Sequence, residues 1–349
     1  MSNRVDFLII GQGIAGTCIG ITLEKAGKSF HLVNSGSLQS SSSVAAGLMH
    51  PITGRRIVKS WLCDELFPFA QHFYRECEAA TGQHFYHQMD CLEMVPTVKM
   101  LNDWMNRTAD ESIANYVEED HDKSVEPFLQ QHHGRFRIKQ GGWLDLSEFN
   151  SCYRDQWIKR GIYFQKEFLV SDLSQEDEYL GYNGFEYQGI IFCEGWHAIE
   201  SKLWNWLPFE PVKGEILTVR IPNFPDKEII VNGIFIIPLG NDYFRVGSTY
   251  DRENIDCTMT PSALEELSNK LKQTITCPFE IIEHKAGVRP AAKDRKPVLG
   301  THPENKRFHL FNGLGSKGST LGPYFAQHLV SHLIQGTELM EVVDIKKYY

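Results

Sequence analysis

Val5-Asp6-Phe7-Leu8-Ile9-Ile10 runs directly into Gly11-Gln12-Gly13-Ile14-Ala15-Gly16, and this stretch decides how the chain reads. A short apolar run that closes on glycine is a buried parallel strand. Gly11 permits the tight turn, Gly13 lets backbone approach a pyrophosphate, and Gly16 lets the next helix pack against the strand. The helix is expected from about Ala15 to Ala26, with Gly27 as its C-cap. Its N-terminus presents unpaired N–H groups and partial positive charge to a phosphate. A second strand, Phe30-His31-Leu32-Val33, completes a β-α-β unit, so the glycines indicate a dinucleotide site. The alternative is a glycine turn without a ligand.

The second strand departs from the usual pattern. An acidic residue is expected at its end to hold the adenosine ribose, but the chain has Asn34 and then Ser35. Asn34 can hydrogen-bond a hydroxyl, more weakly than a carboxylate does. This argues against NAD and leaves room for FAD, which several segments can hold along its length.

At 349 residues the chain suits one or two domains. The net charge of −9, with no long basic run, argues against broad electrostatic binding to nucleic acid. No apolar stretch approaches a membrane span, and the first apolar run reads as a strand rather than a leader. Eight cysteines without a CxxC pair fit reduced thiols in a cytoplasmic protein, with no metal site.

The serine run Ser40–Ser43 leads into Val44-Ala45-Ala46-Gly47-Leu48-Met49-His50-Pro51. Small residues here allow close approach to a cofactor; a flexible loop is the other reading. His50 is either structural or catalytic. Thr53-Gly54-Arg55-Arg56 is either a solvated turn or a source of positive charge. Helices are expected over 61–80 and 95–106. The polar stretch 111–131 reads as surface structure between parts of the nucleotide domain. Ser147 is expected to cap a helix to about Lys159. Residues 189–196 read as a further parallel strand, placing Glu194 and Gly195 where ligands collect. After Pro211 the pattern becomes β-rich, indicating an antiparallel sheet with a helix over about 261–274.

Near the end a strand, 308–311, meets Gly313-Leu314-Gly315-Ser316-Lys317-Gly318, and a helix follows from about Thr320. Too few residues follow for a second complete dinucleotide unit. This glycine-rich helix N-terminus, including Ser319 and Thr320, must therefore serve the first cofactor or nothing. On a flavin it would stabilise negative charge at the N1–C2=O edge of the ring.

Several ordered segments together resemble FAD-dependent oxidoreductases of the D-amino-acid oxidase and glycine oxidase type. They are the first glycine motif, Ser43 to Leu48, Gly142-Trp143-Leu144-Asp145, Pro211 to Glu215, Val246-Gly247-Ser248-Thr249 and Gly287-Val288-Arg289-Pro290. The chain is also similar to the C-terminal oxidase domain of the bifunctional enzyme that modifies wobble uridine in tRNA, although no methyltransferase domain is expected ahead of it. The resemblance implies an α/β fold: a Rossmann-type FAD domain (1–86, 141–208 and 285–349) and a mostly antiparallel substrate domain (87–140 and 209–284).

FAD contacts are then expected from Gly11, Gly13, Ile14, Ala15, Gly16, Asn34, Ser35, Ser43, Ala46, Gly47, Leu48, Glu194 and Gly195. The closing segment adds Gly313, Gly315, Ser316, Lys317, Gly318, Ser319 and Thr320. Arg289 would grip a substrate carboxylate, with a structural ion pair as its alternative. Tyr250 would line the pocket, with strand packing as its alternative, and Lys317 would lie near the flavin or face solvent. The implied reaction oxidises a C–N bond of a small-molecule amine or amino acid. A hydride passes to flavin N5, the imine hydrolyses, and oxygen reoxidises the flavin. The alternatives are a tRNA-base modification enzyme with a basic track through Arg55, Arg56, Lys293 and Arg295, and a flavin-binding protein without turnover.

Overall fold

The structure is a computed structural model that describes residues 3–36, 39–53, 57–175 and 178–349. The expected β-α-β unit is formed by the strand Arg4–Ile10, the helix Ile14–Lys25 and the strand Phe30–Asn34. Arg4–Ile10 pairs in parallel with Phe30–Asn34 on one side and Phe185–Phe192 on the other. Tyr163–Gln165 extends the sheet in parallel beyond Phe30–Asn34. The upper half of Phe185–Phe192 pairs in parallel with Phe308–Asn312, which pairs antiparallel with Val298–Thr301. Antiparallel strands Leu180–Tyr182 and Ser174–Gln175 finish this eight-stranded sheet.

The helix Ile14–Lys25 buries every residue from Ile14 to Leu23, so it shows no apolar stripe. Two close packings explain its small residues. A Cβ on Gly20 would lie 2.7 Å from the Trp157 ring, and a Cβ on Gly322 of the last helix would lie 3.2 Å from Cys18 Sγ. That last helix, Gly318–Gln335, contains Pro323. Proline cannot donate to the carbonyl four residues earlier. The Tyr74 hydroxyl donates to that carbonyl, on Ser319, at 2.7 Å.

The second sheet also has eight strands. In spatial order they are Glu280–Arg289, Val212–Arg220, Tyr243–Gly247, Phe235–Gly240, Ile229–Val231, Cys91–Val95, Gly134–Ile138 and Val117–Glu119. All pairs are antiparallel except Ile229–Val231 with Cys91–Val95. One face packs on the helix Pro261–Lys272 through Leu217, Val219, Phe244, Val246, Leu267 and Leu271. The other face turns toward the nucleotide-binding half. A three-stranded sheet, Leu48–Met49, Gly142–Leu144 and Tyr86–Gln88, ties the segment after the serine run to the Gly142 turn.

Two expectations change, and one region gains detail. The stretch 111–131 supplies an edge strand of the second sheet and buries Ile113, Val117, Val125 and Leu129. Within the β-rich region after Pro211, residues 229–240 form two strands that reverse at Asn232-Gly233. The helix Leu146–Lys159 is capped by Asp145, whose side chain accepts from Glu148 N, and Ser147 lies inside it. Losing such a cap costs about 1 kcal/mol. Asp145→Ala is therefore expected to lower the melting temperature by about 2 °C, since larger domains shift less per kcal/mol. Ser147→Ala should leave it unchanged; calorimetric melts of the two variants check this.

Among the described residues no helix is long and apolar enough to cross a membrane. No group of three or more metal-ligating side chains is present among them either. The eight cysteines carry free thiols.

Candidate active site

The glycine turn is built as its residues require. Gly11 has φ +99°, and a Cβ there would lie 2.5 Å from the Cys193 carbonyl oxygen. A Cβ on Gly16 would overlap the Gly11 carbonyl oxygen. The first helical amides have no acceptor within the helix. That of Ile14 donates to Ser42 Oγ at 3.0 Å, leaving those of Ala15 and Gly16 at the helix mouth. The serine facing this turn is thus Ser42, which the sequence did not single out. Ser43 is exposed and donates to Ser40 O. Gly13 fronts both Ser42 and Ser40, and a Cβ on it would lie 3.0 Å from Ser42 Oγ.

Asn34 uses its side-chain oxygen to accept from Gln12 N at 2.8 Å and its amide nitrogen to donate to Ser35 O at 3.3 Å, which leaves one N–H for a ribose. Glu194 and Gly195 follow the strand Phe185–Phe192 beside Gly11. Glu194 Oε2 is buried without a hydrogen bond, and burial raises its carboxyl to about 7. Gly195 has φ +59° with open space where a side chain would sit. Ala46 and Gly47 are buried, Leu48 is half-buried, and Gly47 has φ +72°.

At the second glycine segment Gly313 and Gly315 have φ +77° and +55°, and Gly315 N donates to Pro290 O at 3.0 Å. The helix begins at Gly318, two residues earlier than expected. Gly318 packs on the first helix: a Cβ there would lie 3.0 Å from Ile14 Cγ2. Ser316 is exposed, while Ser319 and Thr320 are buried. Lys317 does not simply face solvent. Its ammonium donates to Ser60 Oγ at 3.2 Å, and burial lowers its pKa.

Arg289 ends the edge strand of the second sheet. Its guanidinium lies over Gly214, in the space a side chain at 214 would fill. It donates to Lys213 O at 3.1 Å, Ser248 Oγ at 2.7 Å and Thr249 O at 3.2 Å. Its partners are thus neutral; no carboxylate among the described residues pairs with it. Among the described residues it forms no ion pair, and desolvation lowers its pKa. Tyr250 follows the strand rather than packing in it, is 64% exposed, and lays its ring 4.2 Å from the guanidinium carbon.

His50 is buried with neither ring nitrogen hydrogen-bonded, and burial lowers its pKa to about 4. Its Nε2 lies 3.7 Å from Glu93 Oε2. Glu93 carries no sequence signal beyond a single acid in an apolar strand. Arg55 and Arg56 lie outside the described residues; Lys293 and Arg295 are exposed.

A parallel sheet with a glycine turn at a helix mouth, joined to an antiparallel sheet presenting an unpaired arginine, defines a nucleotide-dependent enzyme of two sheets. Residues 6–332 match the family model described as FAD dependent oxidoreductase. The chain belongs to that family, and its cofactor is FAD. The open glycine cradle, the helix mouth and the orphaned Glu194 oxygen fit such a nucleotide.

The chain is 24% identical to glycine oxidase of Bacillus subtilis, over 97% of this chain and 95% of that protein. It is 22% identical to the tRNA 5-methylaminomethyl-2-thiouridine biosynthesis bifunctional protein MnmC of Idiomarina loihiensis, over 95% of this chain. It spans 56% of the MnmC protein's length. The fold is similar to that of glycine oxidase from Geobacillus kaustophilus, with a TM-score of 0.79 at 20% identity over 96% of this chain and 95% of that one.

Proposed function

We propose that this enzyme oxidises the C–N bond of an amino acid or secondary amine that carries a carboxylate, with oxygen as the electron acceptor. The observation that carries this reading is Arg289, a desolvated guanidinium whose partners are two carbonyls and a hydroxyl. A buried cation without a counter-charge is costly, and a substrate carboxylate would complete it through a bidentate pair. The likeness to glycine oxidase supports the same substrate class.

FAD supplies the acceptor for the hydride on the carbon that bears the amine. The chain's part is to bind and orient. Arg289 fixes the carboxylate, the Tyr250 ring covers the guanidinium, and the open space at Gly195 leaves room beside the cofactor. Lys317 and the helix mouth behind it place positive charge on the nucleotide side. No side-chain base is required when the amine arrives neutral, so rate enhancement rests on positioning and electrostatics.

A panel of amines and amino acids, mixed with the protein without oxygen, tests the reading. A carboxylate-bearing amine is expected to bleach the flavin's visible absorbance, and air to restore it. Bleaching only by amines without a carboxylate would overturn it. The second reading, action on a modified base in tRNA, is favoured by the exposed cations Lys293 and Arg295 and by the MnmC relative. Bleaching by an aminomethyl-uridine RNA and by no free amino acid would establish that reading instead.

A further inference from the structure

Arg245 is a second cation of the second sheet that no carboxylate meets. It lies opposite Thr218 on one side and Ile237 on the other. Residues 212, 214, 216 and 218 alternate along their strand onto one face, and Val212 lies opposite Arg289. Arg245 and Arg289 therefore share a face. It is the face turned toward the nucleotide-binding half, because Leu217, Val219, Phe244 and Val246 point the other way, onto the helix Pro261–Lys272.

The other arginines in the strands of this sheet have counter-charges. Arg135 and Arg137 reach Asp120 at 2.9 and 2.7 Å, and Arg220 lies 3.9 Å from Asp242. Among the described residues Arg245 has no hydrogen bond and no ion pair, and its Nε is buried without an acceptor. Two carboxylates, Asp145 and Glu283, attract it from further off. Both have nearer partners: Asp145 accepts from Glu148 N at 3.0 Å, and Glu283 pairs with Lys285 at 2.9 Å. Desolvation nevertheless lowers the Arg245 pKa, so the distant acids offset the cost of burial only in part. Buried polar groups are nearly always satisfied, and this one lacks an anion.

Its surroundings show where that anion would sit. Asp145, near enough to act on the guanidinium, follows Leu144, whose amide donates to Gly47 O at 3.1 Å. Arg245 thus looks into the gap between the two halves, beside the Gly47 segment. Between the two arginines the floor is apolar. Gly247 leaves the sheet bare, and Ile216 and Phe235 close over it: a Cβ there would lie 2.7 Å from Ile216 Cγ2 and 2.8 Å from Phe235 Cζ.

Building on the carboxylate reading of Arg289, we propose that Arg245 is a specificity-determining residue that takes the second acid group of an amine substrate bearing two carboxylates, with the carbon chain lying across Ile216 and Phe235. The spacing suits one small molecule. Four residues along one strand and one step to its neighbour put Arg245 about 14 Å from Gly214, and the Arg289 guanidinium lies over Gly214. A five-carbon diacid spans about 5 Å between its carboxyl carbons. With a guanidinium–carboxylate pair at each end the span reaches about 13 Å, and the flexible Arg245 stem takes up the rest. A monoacid of the same length leaves Arg245 without its anion.

The test uses the full FAD-loaded chain and two acids that carry no amine and cannot be oxidised. They are glutarate and valerate, five-carbon acids that differ only in the second carboxylate. Flavin absorbance titrations are expected to show wild type preferring glutarate by about tenfold or more, the worth of one charge-assisted hydrogen bond. Across succinate, glutarate, adipate and pimelate the affinity should peak at glutarate or adipate, because both arginines are anchored in one sheet. Arg245→Gln should erase the preference for glutarate over valerate. Arg245→Lys should keep part of it, since the charge remains and the planar fork is lost. Removing an unpaired desolvated charge should leave the Arg245→Gln melting temperature unchanged or raised. Glutarate should raise the wild-type melting temperature more than that of the variant.

No glutarate preference in wild type, or a preference that survives Arg245→Gln, overturns the subsite. A lower melting temperature of Arg245→Gln with an unchanged glutarate-to-valerate ratio would make Arg245 a structural partner of Asp145 and overturns it too. If valerate binds through Arg289 but the second carboxylate adds nothing, only the subsite falls. If neither acid nor any other small carboxylate perturbs the wild-type flavin, the Arg289 reading falls with it.

Discussion

Arg289→Ala is expected to weaken binding of a small carboxylate by about one to two decades for each hydrogen bond lost, since bonds to charged groups contribute roughly 1.5–3 kcal/mol. FAD should stay bound, because the guanidinium touches only the second sheet and the loop after it: Lys213 O, Ser248 Oγ and Thr249 O. Arg289→Lys keeps the charge and loses the planar fork, so it should fall between wild type and alanine. Gly214→Ala is the companion variant, because the added methyl would occupy the place where the guanidinium lies. It should displace the arginine and weaken carboxylate binding while the charge remains. The measurement is a titration of flavin absorbance with a small carboxylate and with an uncharged amine. Unchanged dissociation constants in flavin-loaded Arg289→Ala would remove the residue from the site.

Gly16→Val is expected to give protein without flavin and with a much lower melting temperature. Its Cβ would overlap the Gly11 carbonyl oxygen, a backbone atom that cannot swing aside. The first helix would have to lift from the first strand, although its buried side chains hold it there from Ile14 to Leu23. Overpacking of this kind costs about 1–3 kcal/mol or more. Gly13→Val is the instructive contrast. Its nearest neighbours are the side chains of Ser42 and Ser40, which can rotate, so the fold should survive while the pyrophosphate approach closes. Flavin-to-protein absorbance ratios and calorimetric melts separate the two. A Gly16→Val protein with full flavin and a wild-type melting temperature would sink the glycine assignment.

The two glycine segments were legible because their physics is local. An apolar run, a tight glycine turn and a helix start need no distant partner, and Gly11 and Gly13 stand before the helix with Gly16 in its first turn. Shifts of one or two residues were not legible. Asp145 rather than Ser147 caps its helix, and Ser42 rather than Ser43 faces the glycine turn, because neighbouring short polar residues offer the same chemistry until the backbone fixes their directions.

Sheet membership was harder still. Cys91–Val95 joins Ile229–Val231 from a distant part of the chain and brings Gly134–Ile138 and Val117–Glu119 into the same sheet, and no local pattern encodes such a pairing. The candidate site divides in the same way. The sequence by itself determined the nucleotide fold and marked Arg289 by its motif. Only the tertiary structure decided that Arg289 has neutral partners and that Glu93 faces His50. Charge compensation and desolvation are properties of what surrounds a side chain, and those surroundings exist only once the chain has folded.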